Sequence, residues 1–257
     1  MSERILDRLV ENSRNAIDSG VYRIKEDFSS LRSNFDLKSI MLKDAHPTLI
    51  CEIKYSSPSA GQIRHHESPV KLAQDMIAGG ASALSILTQP HMFSGSPENL
   101  IQVRRAIDVP ILMKDIIIDT VQIDAAEKMG ADYILLIQAA YADGGVEEMI
   151  KYAHLRNLKV LLEVHTEEEM DCALRTRADL IGVNNRSLQT MQIDTRTVAR
   201  LLKDRDGRGS FVAESGIKNI QDISMMHAAG ASAFLVGSKI MMCDDVRKAV
   251  KTLTEAY

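Results

Sequence analysis

Four short apolar runs recur along the chain about fifty residues apart, each entered through a similar tripeptide. Gly80-Ala81-Ser82 leads into ALSIL, Gly130-Ala131-Asp132 into YILLI, Arg177-Ala178-Asp179 into LIGV and Gly230-Ala231-Ser232 into AFLVG, with starts 50, 47 and 53 residues apart. Before each run lies a segment such as VKLAQDMIAG or IQDISMMHAAG, whose apolar residues fall at three- and four-residue spacing and predict an amphipathic helix. A small residue closes these helices where a left-handed cap is needed. Between the four runs stand four more, TLICEIK, VPILMKD, KVLLEV and SFVAES. They are aliphatic and β-branched with little alternation, as parallel strands covered on both faces are. Eight strands alternating with eight helices predict an α/β fold, a closed (β/α)8 TIM barrel, with a doubly wound open sheet as the alternative. Residues 1 to about 45 precede the first strand, and ILDRLVENSRNAI fits a helix, so an N-terminal helical extension packed on the barrel is predicted. No linker-like composition interrupts residues 1–257, which predicts one domain.

Composition narrows the partners. A chain of 257 residues is the usual size of one such barrel, and 45% hydrophobic residues can fill it. A formal charge of -4 and a pI near 6.0 supply no footprint for nucleic acid. Cys51, Cys172 and Cys243 lie far apart without a C-x-x-C pair, so neither a disulfide framework nor a thiolate metal site is predicted. The stretch MSERILDRLVENSRNAIDSG is charged and amphipathic, and nothing approaches 18 uncharged apolar residues, so neither a signal peptide nor a membrane partner is expected. The expected compartment is the cytoplasm. The pattern sets no oligomeric state.

In a barrel of this kind reactive groups sit at the carboxyl ends of the strands. Those ends carry Glu52 and Lys54 on the first strand, Lys114 on the third, Glu163 on the fifth, and Asn184 and Arg186 on the sixth. The seventh ends in Glu214 and Ser215, the eighth in Gly237 and Ser238. Glu52 and Lys54 are two apart, so both leave one face of their strand. Singly, such residues read as ion pairs at solvated strand ends. Three glutamates and two lysines at one rim are not explained by packing, because a buried ion costs several kcal/mol unless paired.

The strings Glu214-Ser215-Gly216-Ile217 and Val236-Gly237-Ser238 form a second signal. Glycine lets backbone N–H groups approach an anion, and phosphate sites in barrels are frequently built from these two loops. Either string alone is ordinary turn chemistry; the pair predicts a phosphorylated small-molecule ligand. His65-His66-Glu67 lacks a third metal ligand and is followed by Ser68-Pro69, an N-cap and first helical residue, so a solvated loop is expected there. His165, beside Glu163, reads as a supporting or helix-capping residue, and the thirteen methionines as core filler.

Taken in order, these strings resemble a known family. Glu52-x-Lys54-x-x-Ser57-Pro58-Ser59, Phe93-x-Gly95-Ser96, Met113-Lys114-Asp115, Leu162-Glu163-Val164-His165, Gly182-Val183-Asn184-Asn185-Arg186-x-Leu188, Ala213-Glu214-Ser215-Gly216 and Val236-Gly237-Ser238 together are similar to indole-3-glycerol phosphate synthase. The resemblance implies a (β/α)8 enzyme of tryptophan biosynthesis that cyclises 1-(2-carboxyphenylamino)-1-deoxyribulose 5-phosphate with loss of carbon dioxide and water, without a cofactor. It implies Lys114 as the acid that protonates the substrate carbonyl oxygen and Glu163 as its carboxylate partner. Lys54, paired with Glu52, would contact the anionic substrate, including its phosphate, and Asn184 and Arg186 would orient substrate hydroxyls or the carboxylate. Ser215, Gly216, Gly237 and Ser238 would hold the phosphate beside Glu214, with Ser57 and Ser59 on a mobile loop next to it. Phe93 would stack on the anthranilate ring. The chain departs from the family at Ile116, where an aromatic residue is common, and at Gln89-Pro90-His91-Met92, which lacks the usual acidic and lysine residues. An aliphatic ring pocket is therefore expected. Two alternatives stand beside this reading: phosphoribosylanthranilate isomerase, which would need a cysteine and an aspartate facing the cleft, whereas Cys51 should point away; and a phosphate-binding barrel without catalysis, which should have lost Lys114 or Glu163.

Overall fold

The computed structural model describes residues 5–43, 47–65, 67–141, 144–205 and 210–254. Eight parallel strands close into a barrel: β1 (Thr48–Ile53), β2 (Ala83–Leu87), β3 (Ile111–Lys114), β4 (Tyr133–Ile137), β5 (Lys159–Val164), β6 (Leu180–Asn184), β7 (Phe211–Glu214) and β8 (Ala233–Val236). Each strand pairs with its sequence neighbours, and β1 closes the ring on β8 through Thr48 to Cys51 against Ala233 to Val236. This is the predicted (β/α)8 barrel rather than the open sheet.

Helices follow the strands as the periodicity predicts, and local chemistry sets their ends. Ser68 caps Pro69–Ala78 by accepting from the Lys71 N–H, with Pro69 at the first turn as expected. Asp119 and Gln122 form a capping box on Thr120–Met129. Gly130 ends that helix at φ +79°, a left-handed cap that glycine adopts without strain. Among the described residues no helix is long and apolar enough to cross a membrane.

Two apolar layers result. Alternate strand residues such as Leu49, Cys51 and Ile53 lie in a shell under the helices, while Ile50, Leu112, Leu135, Leu161 and Val212 fill the barrel. The N-terminal extension spans both ends of that filling. Its first helix, α1 (Ile5–Asp18), lies at the carboxyl mouth: Ser13 Oγ donates to the Ile116 carbonyl at 2.8 Å and accepts from Gln89 Nε2 at 3.2 Å. Its last, α2 (Leu37–Lys43), covers the opposite end, where Asp36 accepts from Tyr133 Oη at 2.7 Å and Lys159 Nζ at 2.6 Å. Leu37 and Met41 are buried there against the barrel filling.

Candidate active site

Inward-facing positions recur every second residue along each strand, so the parity that points Ile50 inward also points Glu52 inward. The same rule turns Lys114 on β3, Glu163 on β5 and Glu214 on β7 into the barrel mouth, where all four line a cavity of about 410 Å³. One comes from each odd-numbered strand, which makes them a single layer of the barrel filling. On three of the intervening strands the neighbouring positions are small, while β4 presents Ile137. Ser85 pairs in register with Glu52, and Gly182 with Glu163. A Cβ on Gly237 would stand 2.6 Å from Glu52 Oε1, and one on Gly182 would overlap Glu214 Oε1. The glycines provide the volume that the carboxylates occupy.

Within that layer Lys114 Nζ lies 3.4 Å from Glu163 Oε2 and 3.6 Å from Glu214 Oε2, and Lys54 Nζ lies 2.6 Å from Glu52 Oε1. Burial opposes every charge here, and the neighbours decide which survives. For Lys114 burial would lower the pKa, but Glu163, Glu214 and Glu52 outweigh it and raise it, so the ammonium persists across the neutral range. Burial would likewise push Glu163 up, yet Lys114, His165 and Asn184 hold it well below the ordinary carboxylate range. Glu52 is also held low, against burial, by Lys54 and Lys114. Glu214 goes the other way: burial and the adjacent Glu163 charge push its carboxyl up. Two carboxyls at one site are thus pushed in opposite directions, Glu163 down and Glu214 up.

On the β7 and β8 side, Ser215, Gly216, Gly237 and Ser238 all line the cavity. Ser215 and Gly216 adopt φ of +64° and +83°, and Asn185 Nδ2 braces the loop by donating to the Ser215 carbonyl at 2.9 Å. A short extra helix, Ser238–Met241, starts at the β8 loop, where barrels frequently place a phosphate site. Arg186 and Asn184 reach the same cavity; the Arg186 guanidinium donates to the Met191 carbonyl at 2.9 Å, and among the described residues no carboxylate pairs with it. Ser57, Pro58 and Ser59 line the rim from a hairpin tethered by Ser56 Oγ to the Met92 carbonyl at 3.0 Å. Phe93 is the one aromatic side chain among the described residues lining the cavity, and Leu9, Ile116, Leu135, Ile137 and Leu188 make the rest of its wall aliphatic.

The strand-end and loop residues expected from the sequence to form a site, Glu52 through Ser238, meet at one mouth. Others were missed. Leu9 arrives from α1, a helix expected only to pack on the outside. Lys218 and Lys239 line the β7 and β8 side of the cavity, and their positions just after Gly216 and Ser238 were the available signal. His165 sits with Nε2 3.2 Å from Glu163 Oε1. Cys51 is fully buried in the outer shell, away from the cavity, which leaves the isomerase alternative without its acid–base cysteine. Glu67 of the His-His-Glu string is spent on Arg64 and Lys71 at 2.8 and 2.9 Å; His66 lies outside the described residues.

Comparison with known proteins places this mouth in context. Residues 6–253 match the family model described as indole-3-glycerol phosphate synthase. A relative of that name from Exiguobacterium sibiricum is 38% identical over 244 residues, 94% of this chain and 93% of that protein. One of the same name from Methanocaldococcus jannaschii is 37% identical over 96% of this chain and 98% of its own. Among solved structures, thiamine phosphate pyrophosphorylase from Pyrococcus furiosus superposes with a TM-score of 0.60 at 19% identity, over 85% of this chain and 96% of that one, a likeness of fold.

Proposed function

This chain belongs to the indole-3-glycerol phosphate synthase family, and on that premise we propose that the charged layer of its barrel mouth is the catalytic centre. The activity is that of a carboxy-lyase of tryptophan biosynthesis: ring closure, decarboxylation and dehydration of 1-(2-carboxyphenylamino)-1-deoxyribulose 5-phosphate to indole-3-glycerol phosphate. In ring closure the aromatic carbon bearing the carboxylate attacks the ketone, whose oxygen gains negative charge and needs a proton. Lys114 supplies it. Loss of carbon dioxide then returns the bond electrons to the ring, and the new hydroxyl leaves as water on taking a proton from Lys54 while the neighbouring carbon gives one up, which completes the indole. Glu163, held ionised, stabilises the cationic ring-closed intermediate and takes the proton released in dehydration.

The single observation that carries this reading is the placement of Lys114 Nζ at the cavity floor, 3.4 Å from Glu163 and 3.6 Å from Glu214. It brings a proton donor and a carboxylate acceptor within reach of one substrate. The remaining roles follow from position. Ser215, Gly216, Gly237 and Ser238 hold the phosphate with help from Lys54, and Lys218 and Lys239 stand on the same wall. Arg186, with Asn184, meets the substrate carboxylate or hydroxyls, Glu52 orients Lys54, and Phe93 with the aliphatic wall receives the aromatic ring. Ser57 and Ser59 close over the sugar phosphate from the hairpin.

Indole fluorescence reports turnover directly when the purified protein meets this substrate. Lys114→Met is expected to lower kcat at least about 10²-fold with KM changed only several-fold, and Glu163→Gln to lose a comparable factor. Near-normal turnover in either variant overturns the assignment of that residue.

A further inference from the structure

We propose that His165, clamped by Glu169, is a positioning residue for Glu163, holding its carboxylate ionised and turned toward Lys114. The inference rests on the role given to Glu163 above.

His165 follows β5 by one residue and has the strand parity of Glu163. The two oxygens of Glu163 are divided between two cations: Oε2 lies 3.4 Å from Lys114 Nζ, Oε1 lies 3.2 Å from His165 Nε2. The other imidazole nitrogen, Nδ1, lies 3.2 Å from Glu169 Oε2, and that same oxygen accepts the His165 backbone N–H at 2.7 Å. Glu169 is itself fixed, because it is the third residue of the helix Glu167–Ala173 and its N–H donates to the capping Thr166 Oγ1 at 3.2 Å. Nδ1 hydrogen-bonds Glu169, while Nε2 faces Glu163 Oε1 at ion-pair distance without the alignment of a hydrogen bond, and two carboxylates so placed favour the imidazolium over the neutral ring. Burial would lower the pKa of His165, but Glu163 and Glu169 prevail and push it up to about 9.

The surroundings give no competing reason for this cation. Its side chain is 7% exposed and stands between the catalytic cavity and a second one of about 560 Å³, with Asn184 lining both. The charged groups facing it are Glu163 on its own strand, Glu168 and Glu169 from the following helix, and Lys114 across Glu163. Asp194 and Arg200 stand on the far wall of the second cavity. Packing alone would be satisfied there by an apolar residue. A cation adds a second anchor on Glu163, so that the ammonium of Lys114 does not by itself determine where its oxygens point.

The test uses the full chain carrying His165→Gln, Glu169→Gln or both, with kcat, KM and the pH dependence of kcat measured from pH 5 to 9. His165→Gln is expected to lower kcat about tenfold with KM within about threefold. Its acid limb is expected to move to higher pH, because Glu163 protonates more easily without the cation. Glu169→Gln, a partly exposed position that leaves the barrel filling untouched, is expected to act in the same direction more weakly and to lose rate on the alkaline side, as His165 gives up its proton earlier. Because Glu169 acts through His165, the double variant is expected to be no slower than His165→Gln. The proposal is overturned by a His165→Gln enzyme with the wild-type kcat and acid limb whatever its melting temperature, or by multiplying losses in the double variant. An active Glu163→Gln enzyme would sink the role of Glu163 itself; an impaired one beside an unaffected His165→Gln enzyme sinks only this inference.

Discussion

Replacing Lys114 by methionine keeps the volume and removes the cation that three inward carboxyls share. Glu52, Glu163 and Glu214 are 3%, 2% and 2% exposed, so water cannot take its place. Deleting one partner of a buried ionic cluster costs about 3 to 5 kcal/mol. At about 2 to 4 °C per kcal/mol for a chain of this size, the melting temperature is expected to fall by about 6 to 20 °C near pH 8. The loss depends on pH. In the wild type Lys114 holds the Glu163 carboxyl low, so its contribution is present above the unfolded value near 4.3 and vanishes only as pH falls through the depressed folded value. In the variant the carboxyls that lose this cation shift upward from their wild-type values, so the variant gains less stability than the wild type as pH rises above the unfolded value. The gap between the two proteins should therefore be narrow at pH 5 and wide at pH 8. Calorimetric melts of both proteins at the two pH values measure it directly. An equal gap at both, or a variant more stable than wild type at pH 8, would refute the electrostatic account of the layer.

Three further outcomes are expected. Ser215→Ala weakens substrate binding more than it slows turnover, seen as a raised KM at nearly constant kcat; a pure kcat effect would show the phosphate misplaced. Gly182→Ala puts a methyl where Glu214 Oε1 lies, costing about 1 to 3 kcal/mol of stability and lowering kcat as the carboxyl is pushed off Lys114; wild-type melting and turnover would contradict the packing described. Tyr22→Phe deletes the 2.9 Å bond from Tyr22 Oη to Asp115, next to Lys114, at a cost of about 1 to 3 kcal/mol. Burial already pushes the Asp115 carboxyl up to about 6 and the lost bond raises it further, so the melting deficit should be larger at pH 8 than at pH 5.

Strand positions and their polar ends were readable in the chain because the physics is local. A parallel strand buried on both faces is a short apolar run, and LICEIK shows Glu52 breaking one at its carboxyl end. Parity then points Glu52, Lys114, Glu163 and Glu214 inward without any knowledge of distance. What remained hidden depends on closure. Gly237 read as part of a phosphate loop and Gly182 as an ordinary strand residue, and only the ring of strands reveals that each makes room for a carboxyl from an adjacent strand. The amphipathic pattern of α1 predicts a packed helix but not which end of the barrel it covers, so Leu9 at the mouth and α2 at the opposite end emerge only from the three-dimensional arrangement. His165 next to Glu163 was visible, yet its value lies in Glu169 four residues on, folded back by the first turn of a helix.

A diffraction structure with indole-3-glycerol phosphate bound tests the central claim most directly. The account predicts the phosphate on the loops of Ser215–Gly216 and Gly237–Ser238, the heterocycle against Phe93 and Leu135, and the ring within about 4 Å of Lys114 Nζ and Glu163. A phosphate seated elsewhere, or a ring lodged in the second cavity beyond His165, would contradict it.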